Sequence, residues 1–247
     1  MASTNTNLVQ EGISSTLLAH RDFMSNVDLV LASQSPRRRE IFSLMGLEDC
    51  FRVVVSNFEE NLDKSSFKDP RDYAVANAVG KAQEVMHRIS SGERKEPEGL
   101  GLGLGGGKNG NGDPLVVVGS DTIVELEGRI LEKPRDEGEA FRMLSALSGS
   151  EHLVHSGVAI FTGFVGSQEA AASFCESTTV SFTKLSEEEI WAYIRTGEPM
   201  DKAGAYGIQG IGGQFVSKVD GCFFSVMGFP MHAFSSSLAK VIQEKRV

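Results

Sequence analysis

The spacing of apolar residues along the chain alternates between short apolar runs and longer amphipathic stretches. Runs typical of buried strands lie at residues 27–32, 51–55, 115–119, 153–161 and 178–182. Amphipathic stretches with capping residues predict helices at residues 37–47, 70–90, 136–148, 186–196 and 231–245. Helices that alternate with strands imply an α/β fold, in which helices flank a mixed twisted sheet.

Two pairs of shorter segments predict hairpins. Residues 122–126 and 129–131 flank Glu127 and Gly128, which are suited to a tight turn. Residues 215–219 and 222–226 form the second predicted hairpin, near the end of the chain.

A glycine-rich stretch departs from this pattern. Residues 99–112 hold 8 of the 27 glycines in the chain. Residues 101–106 match the spacing G-x-G-x-x-G, but a dinucleotide fingerprint needs a strand before it and a helix after it. This stretch follows a charged segment and precedes a strand. We therefore predict a flexible surface insertion at about residues 92–113 and reject a dinucleotide-binding enzyme.

The overall charge bounds the class of partner. Of the 247 residues, 24 are Lys or Arg and 33 are Asp or Glu, so the net charge is −9. This balance argues against binding to a nucleic-acid polymer, because such proteins usually present a basic face. A phosphate-bearing small molecule needs only a few cations in one place, so it remains compatible with the sequence.

The cysteines and the first residues of the chain indicate the cellular compartment. The three cysteines lie far apart without a C-x-x-C pair, which favours a reducing compartment. The sequence has no apolar run long enough for a membrane span, and residues 1–26 have no apolar signal-peptide core. We expect a disordered leader over residues 1–26, a domain over residues 27–247, and a cytoplasmic location without membrane contact.

The first candidate site lies where the first strand meets the first long helix. Ser33 ends the strand, Ser35 is suited to cap the helix, and three arginines follow Pro36. A helix N-terminus attracts anions, and cations placed there oppose the helix dipole. Three consecutive arginines at this position therefore favour a phosphate-binding site over a solvated basic turn.

Other candidate groups are weaker when taken singly. Asp121 follows a buried strand, where a carboxylate can hold a divalent metal or activate water, although a turn-forming role is the simpler interpretation. Lys133 lies between a strand and a helix. Residues 197–210 form a loop with four glycines, and Lys202 and Gln209 are its candidate ligand contacts. His152 and His155 fall on opposite faces of a predicted strand, so we interpret both as structural.

Taken in order, these segments closely resemble the Maf family. The resemblance rests on residues 31–40, residues 120–122 with 128–134, residues 147–152, residues 197–210 and residues 221–230, and it extends from about residue 27 to 245. It implies a fold similar to that of the inosine triphosphate pyrophosphatases, with two lobes around a cleft, and it makes a homodimer possible.

The resemblance also implies a reaction. A nucleoside triphosphate and water would give the monophosphate and diphosphate, with Mg²⁺ or Mn²⁺ as the divalent cation. Asp121 matches the proton acceptor, and Glu60 with Asp121 matches the carboxylates on the metal side. The remaining positions match groups that would contact the phosphates, namely Ser33, Arg38, Lys81 and Lys133.

Substrate choice within the family follows from three further positions. Arg37, Thr122 and Gln209 resemble the branch that acts on dTTP and UTP, and the amide of Gln209 can both donate to and accept from a pyrimidine edge. The alternatives are a 7-methyl-GTP pyrophosphatase and a non-catalytic nucleotide-binding regulator of division. The leader and the insertion both depart from the bacterial pattern.

Overall fold

The computed structural model of the chain describes residues 16–91, 114–163 and 169–244. In these segments seven strands form one mixed sheet, which confirms the predicted α/β class. The strands are β1 (Asp28–Ala32), β2 (Phe51–Val53), β3 (Leu115–Leu126), β4 (Arg129–Leu131), β5 (Glu151–Thr162), β6 (Ala172–Phe182) and β7 (Val216–Asp220). Their order is β2-β1-β3-β5-β6-β7, and β4 pairs with β3. β1 is parallel to β2 and β3, whereas the other pairs are antiparallel.

Helices flank this sheet. They are α1 (Arg21–Met24), α2 (Pro36–Leu44), α3 (Pro70–Ser90), α4 (Glu137–Leu147), α5 (Glu187–Ile194), α6 (Phe223–Met227) and α7 (Met231–Gln243), and short 3-10 turns lie between several of them. Ser35, Asp69 and Ser186 cap three of these helices through their side chains, as the sequence predicts. Asp136, which the sequence places inside the helix, caps α4 in the same way. Across the described segments, the long apolar helix that a membrane span requires is absent.

Two predicted elements differ from the structure. β3 continues without a break from Leu115 to Leu126, so Asp121 lies inside a strand and does not follow its end. β3 pairs with β5 from Val116 to Glu125, whereas its pairing with β1 ends at Gly119. The predicted second hairpin is also wrong, because residues 223–227 form α6. A short apolar run fits a buried helix as well as a strand, and its spacing does not separate the two.

The segment before β1 also differs from the prediction. Leu17 and Met24 are buried in the same apolar cluster as Leu238 of α7, and the backbone N–H of Leu17 donates to Ser235 Oγ at 3.0 Å. Residues 16–26 were assigned to the leader, yet they pack against the domain. The predicted insertion at residues 92–113 and residues 1–15 lie outside the described segments.

Two glycines bring α3 close to the sheet. A Cβ atom at Gly119 of β3 would lie 2.1 Å from the carbonyl oxygen of Ala78, and one at Gly157 of β5 would lie 2.4 Å from that of Ala74. Both distances are far shorter than a normal contact, so only glycine permits this approach. The polar side chains on the inner face of α3 consequently reach the middle of β3.

Candidate active site

A cavity of about 420 Å³ opens beside the carboxyl end of β1. Its walls include all ten candidate residues from the sequence: Ser33, Arg37, Arg38, Glu60, Lys81, Asp121, Thr122, Lys133, Lys202 and Gln209. Ala32, the last residue of β1, pairs with Gly119 of β3, so Asp121 lies just beyond the parallel part of the sheet. Open α/β sheets bind ligands at the carboxyl ends of their strands.

Two side chains of α3 donate hydrogen bonds to the carboxylate of Asp121, one to each oxygen. Lys81 Nζ donates to Oδ1 at 2.8 Å, and Asn77 Nδ2 donates to Oδ2 at 3.0 Å. Lys81 Nζ also lies 2.9 Å from a carboxylate oxygen of Glu60. Burial acts to raise the pKa of Asp121, but the charges of Lys81 and Arg38 and these hydrogen bonds outweigh it and lower that pKa. Asp121 is therefore ionised at neutral pH.

Arg38 is a buried cation at the start of α2. Its Nε donates to the carbonyl oxygen of Gly228 at 2.9 Å, and its two Nη atoms donate to Ser33 Oγ and Thr122 Oγ1, each at 3.2 Å. Burial lowers the pKa of Arg38, and the charge of Asp121 opposes this change. Because a guanidinium has five N–H donors and keeps its charge in proteins, Arg38 retains donors for an anion in the cavity.

Arg37 and Lys202 share one carboxylate at the mouth of the cavity. Arg37 Nη1 donates to Asp201 Oδ2 at 3.0 Å, and Lys202 Nζ donates to Asp201 Oδ1 at 2.6 Å. Lys202 Nζ also donates to the carbonyl oxygen of Glu198 at 2.7 Å. This arrangement joins α2 to the loop that follows α5.

The remaining candidates complete the walls. Lys133 and Gln209 are exposed on the cavity surface. Thr122 Oγ1 lies 2.9 Å from Ser156 Oγ and so takes part in the hydrogen-bond network of Arg38. Four further lining residues give part of the wall an apolar character that suits a nucleobase: Val124, Val154, Ala203 and Tyr206.

The two histidines behave as the sequence predicts. His152 Nε2 lies 2.8 Å from Tyr206 Oη, whereas His155 Nε2 lies 2.7 Å from a carboxylate oxygen of Glu125. Burial lowers the pKa of His152 to about 4, so its ring is neutral at pH 7. The two rings therefore belong to separate hydrogen-bond networks.

Two contributors to the site were missed in the sequence. Asn77 lies four residues before Lys81 on α3, and that spacing puts both on one helix face. This spacing could have identified Asn77 as a neighbour of Lys81 in the site. Gly228 gives its carbonyl oxygen to both Arg38 and Thr122. Gly228 lies in residues 221–230, which contribute to the family resemblance, but its contacts depend on α6, which was predicted as a strand.

The residues present fit a divalent cation that arrives with a phosphate ligand. Glu60 and Asp121 both contact the ammonium of Lys81, so their carboxylates lie near each other. Within the described residues, no group of three or more His, Cys, Asp or Glu side chains has metal-binding geometry. Mg²⁺ is usually bound by one or two carboxylates together with substrate phosphates, which matches this pair.

Comparison with known proteins gives consistent matches. The chain matches the family described as Maf-like protein over residues 28–241. It is 39% identical to a dTTP/UTP pyrophosphatase of Clostridium perfringens, over 85% of this chain and 95% of that protein. It is 45% identical to a dTTP/UTP pyrophosphatase of Thermococcus kodakarensis, over 82% of this chain and 91% of that protein.

Two other matches are of a different kind. The chain is 45% identical, over 88% of its length, to a probable bifunctional dTTP/UTP pyrophosphatase/methyltransferase protein of Homo sapiens, but it spans only 32% of that protein. A solved structure of a HAM1 protein from Coxiella burnetii aligns over 88% of this chain and 99% of its own, with a TM-score of 0.38 and 14% identity. A likeness this weak adds nothing to the fold described above.

Proposed function

The chain belongs to the Maf family, and from this premise we propose that it hydrolyses dTTP and UTP to the monophosphate and diphosphate. One observation carries the proposal: an ionised buried carboxylate, Asp121, lies in a cavity beside the cations Arg38 and Lys81. That combination provides a proton acceptor next to charges that attract a triphosphate. Two relatives named dTTP/UTP pyrophosphatase, matched over more than nine tenths of their length, support the same substrate class.

The cationic part of the cavity would hold the phosphates. Arg38 and Lys81 are buried in the wall, and Lys133 lies exposed on its surface. The N-terminus of α2 adds backbone N–H groups next to Ser33, a typical anion-binding arrangement. These donors would stabilise the negative charge that builds on the departing diphosphate, which is commonly the largest contribution to catalysis.

Asp121 would accept the proton of the attacking water. Water would attack the α-phosphorus, and the bond to the bridging oxygen of the diphosphate would break. General-base catalysis of this kind typically contributes about 10²- to 10⁴-fold. Asn77 and Lys81 would fix the orientation of the carboxylate, because each donates to a different one of its oxygens.

Glu60 and Asp121 would hold Mg²⁺ or Mn²⁺. When bound, such a cation neutralises phosphate charge and polarises the phosphoryl oxygens. Lys81 contacts both carboxylates, so it would offset part of their charge in the absence of a cation.

The nucleobase would be recognised by polar groups beside the apolar part of the wall. Gln209 presents an amide on the cavity surface, and Thr122 presents a hydroxyl whose orientation is set by Arg38 and Ser156. Arg37 is the third group that we assign to base selection. A cytoplasmic location and assembly as a homodimer are further proposals, to be tested by imaging of a tagged chain and by analytical ultracentrifugation.

A diphosphate-release screen tests the function. The full chain is incubated with UTP, dTTP, CTP or 7-methyl-GTP, with Mg²⁺ or with a chelator. We expect Mg²⁺-dependent diphosphate release that is fastest for UTP and dTTP, and we expect Asp121→Asn to abolish it. A preference for 7-methyl-GTP would contradict the substrate, and nucleotide binding without release would favour a non-catalytic regulator. Undiminished turnover by Asp121→Asn would exclude Asp121 as the base.

A further inference from the structure

One carboxylate joins two walls of the cavity that are far apart in the sequence. Arg37, in the first turn of α2, donates through Nη1 to Asp201 Oδ2 at 3.0 Å and through Nη2 to the backbone carbonyl of Asp201 at 3.4 Å. Asp201 lies in the 3-10 turn Glu198–Asp201, 164 residues further along the chain. The second oxygen of Asp201 accepts from Lys202 at 2.6 Å. Both oxygens of this carboxylate are therefore bound to cations of the cavity wall.

The position of Arg37 at a helix N-terminus makes a nearby carboxylate favourable. Basic residues in the first turn of a helix oppose the helix dipole. The first turn of α2, whose residues are all described, contains no acidic residue. A free arginine side chain samples many rotamers, and each side chain that must be ordered on binding weakens binding. Asp201 removes this freedom before any ligand arrives, since it binds the guanidinium at two points.

Exposure indicates that the arrangement serves binding more than folding. The side chain of Asp201 is 62% exposed, whereas those of Arg37 and Lys202 are 21% and 12% exposed. An ion pair with one partner this exposed contributes little to stability. The two cations line the cavity, and the acid holds them from its rim.

We propose that Asp201 is a positioning residue for base selection, which holds Arg37 in the one orientation that favours dTTP and UTP. This inference rests on the proposed function and adds to it a residue that acts through Arg37. Loss of Asp201 leaves the chemistry at Asp121 in place. It releases Arg37, so that the guanidinium binds different nucleotides less selectively.

A double-mutant cycle tests this role. Steady-state kinetics with UTP and CTP are measured for the wild type, Asp201→Ala, Arg37→Ala and the double variant, with Asp220→Ala as the control. Asp220 is also exposed and pairs with Lys218 at 3.2 Å, but it lies on β7 and does not line the cavity. Thermal unfolding is recorded for every variant.

We expect Asp201→Ala to raise KM for UTP about tenfold with kcat nearly unchanged, the effect of freeing one side chain that binding must order again. The preference for UTP over CTP falls with it. In the Arg37→Ala background the same substitution has a much smaller effect, because only Lys202 is left for it to release. The kinetics of Asp220→Ala and the melting temperatures of all variants stay close to those of the wild type.

Three results would overturn the proposal. They are an unchanged KM and selectivity in Asp201→Ala, additive effects of the two substitutions, and a fall in melting temperature large enough to indicate a structural role. The wild-type measurement distinguishes a failure of the role of Asp201 from a failure of the proposed function. A wild type that releases no diphosphate from UTP refutes the function itself, whereas an active wild type with unaffected Asp201 variants refutes only the role of Asp201.

Discussion

The close approach of α3 to the sheet makes Gly119→Ala a sharp test of how the site is assembled. The new Cβ atom would lie 2.1 Å from the carbonyl oxygen of Ala78 and 2.9 Å from the Cβ of Ala82. Normal contacts between heavy atoms are about 3.5 Å, so α3 must retreat by roughly 1 Å. Neither neighbouring atom belongs to a flexible side chain, so the helix itself has to move.

The retreat has two measurable consequences. Overpacking of this kind typically costs about 1–3 kcal/mol, so the free energy of unfolding should fall by that amount. Lys81 Nζ lies 2.8 Å from Asp121, and a displacement of about 1 Å breaks that hydrogen bond. Since a misplacement of about 1 Å can cost about 10²-fold in rate, kcat/KM for UTP should fall by a similar factor.

Urea denaturation and steady-state diphosphate release measure these effects. Gly138→Ala is the matched control, because its new Cβ would meet only side-chain atoms, at 3.3 Å from Asp136 and 3.5 Å from Arg142. It lies in α4, where Ala is favoured over Gly by about 1 kcal/mol, so its stability should equal or exceed that of the wild type. Wild-type stability and activity in Gly119→Ala would refute the reasoning.

Three further predictions concern single side chains. Lys81→Met should lower the free energy of unfolding by about 3 kcal/mol, because the buried Asp121 loses the cation that donates a hydrogen bond to it. The substitution should also abolish most diphosphate release, and unchanged urea midpoints would contradict this prediction. Burial lowers the pKa of His152 from 6.5 to about 4, so only the unfolded chain gains this proton as the pH falls below 6.5. Stability should therefore drop by about 2 kcal/mol between pH 7 and pH 5 from this group, and His152→Gln should show a smaller drop in urea titrations at the two pH values. Ser186→Ala removes the hydroxyl that accepts from the backbone N–H of Glu189, while the bond from the backbone N–H of residue 186 to the Glu189 carboxylate remains. The substitution should cost about 1 kcal/mol, which a melting curve would detect.

The sequence predicted the local features of the fold well, because short-range chemistry determines them. The caps at Ser35, Asp69 and Ser186 are side-chain hydrogen bonds to residues two or three positions away, so they can be read from neighbouring letters. The candidate site residues line one cavity. The order of motifs along the chain supplied that grouping, which composition and spacing alone would not have supplied.

Features that depend on tertiary pairing were not predicted. The continuity of β3 past Gly119 results from its pairing with β5, a strand more than 25 residues away in the sequence. Residues 223–227 are apolar enough for either a strand or a helix, and only their packing decides between them. The contact between Arg38 and the Gly228 carbonyl depends on the helix at residues 223–227, so no local pattern predicts it.

Hydrolysis of UTP in ¹⁸O-labelled water, with Mg²⁺ present, tests the central claim most directly. If Asp121 activates water for attack on the α-phosphorus, mass spectrometry will find one ¹⁸O atom in the uridine monophosphate and none in the released diphosphate. Label in the diphosphate, or formation of uridine diphosphate and inorganic phosphate, would contradict the account.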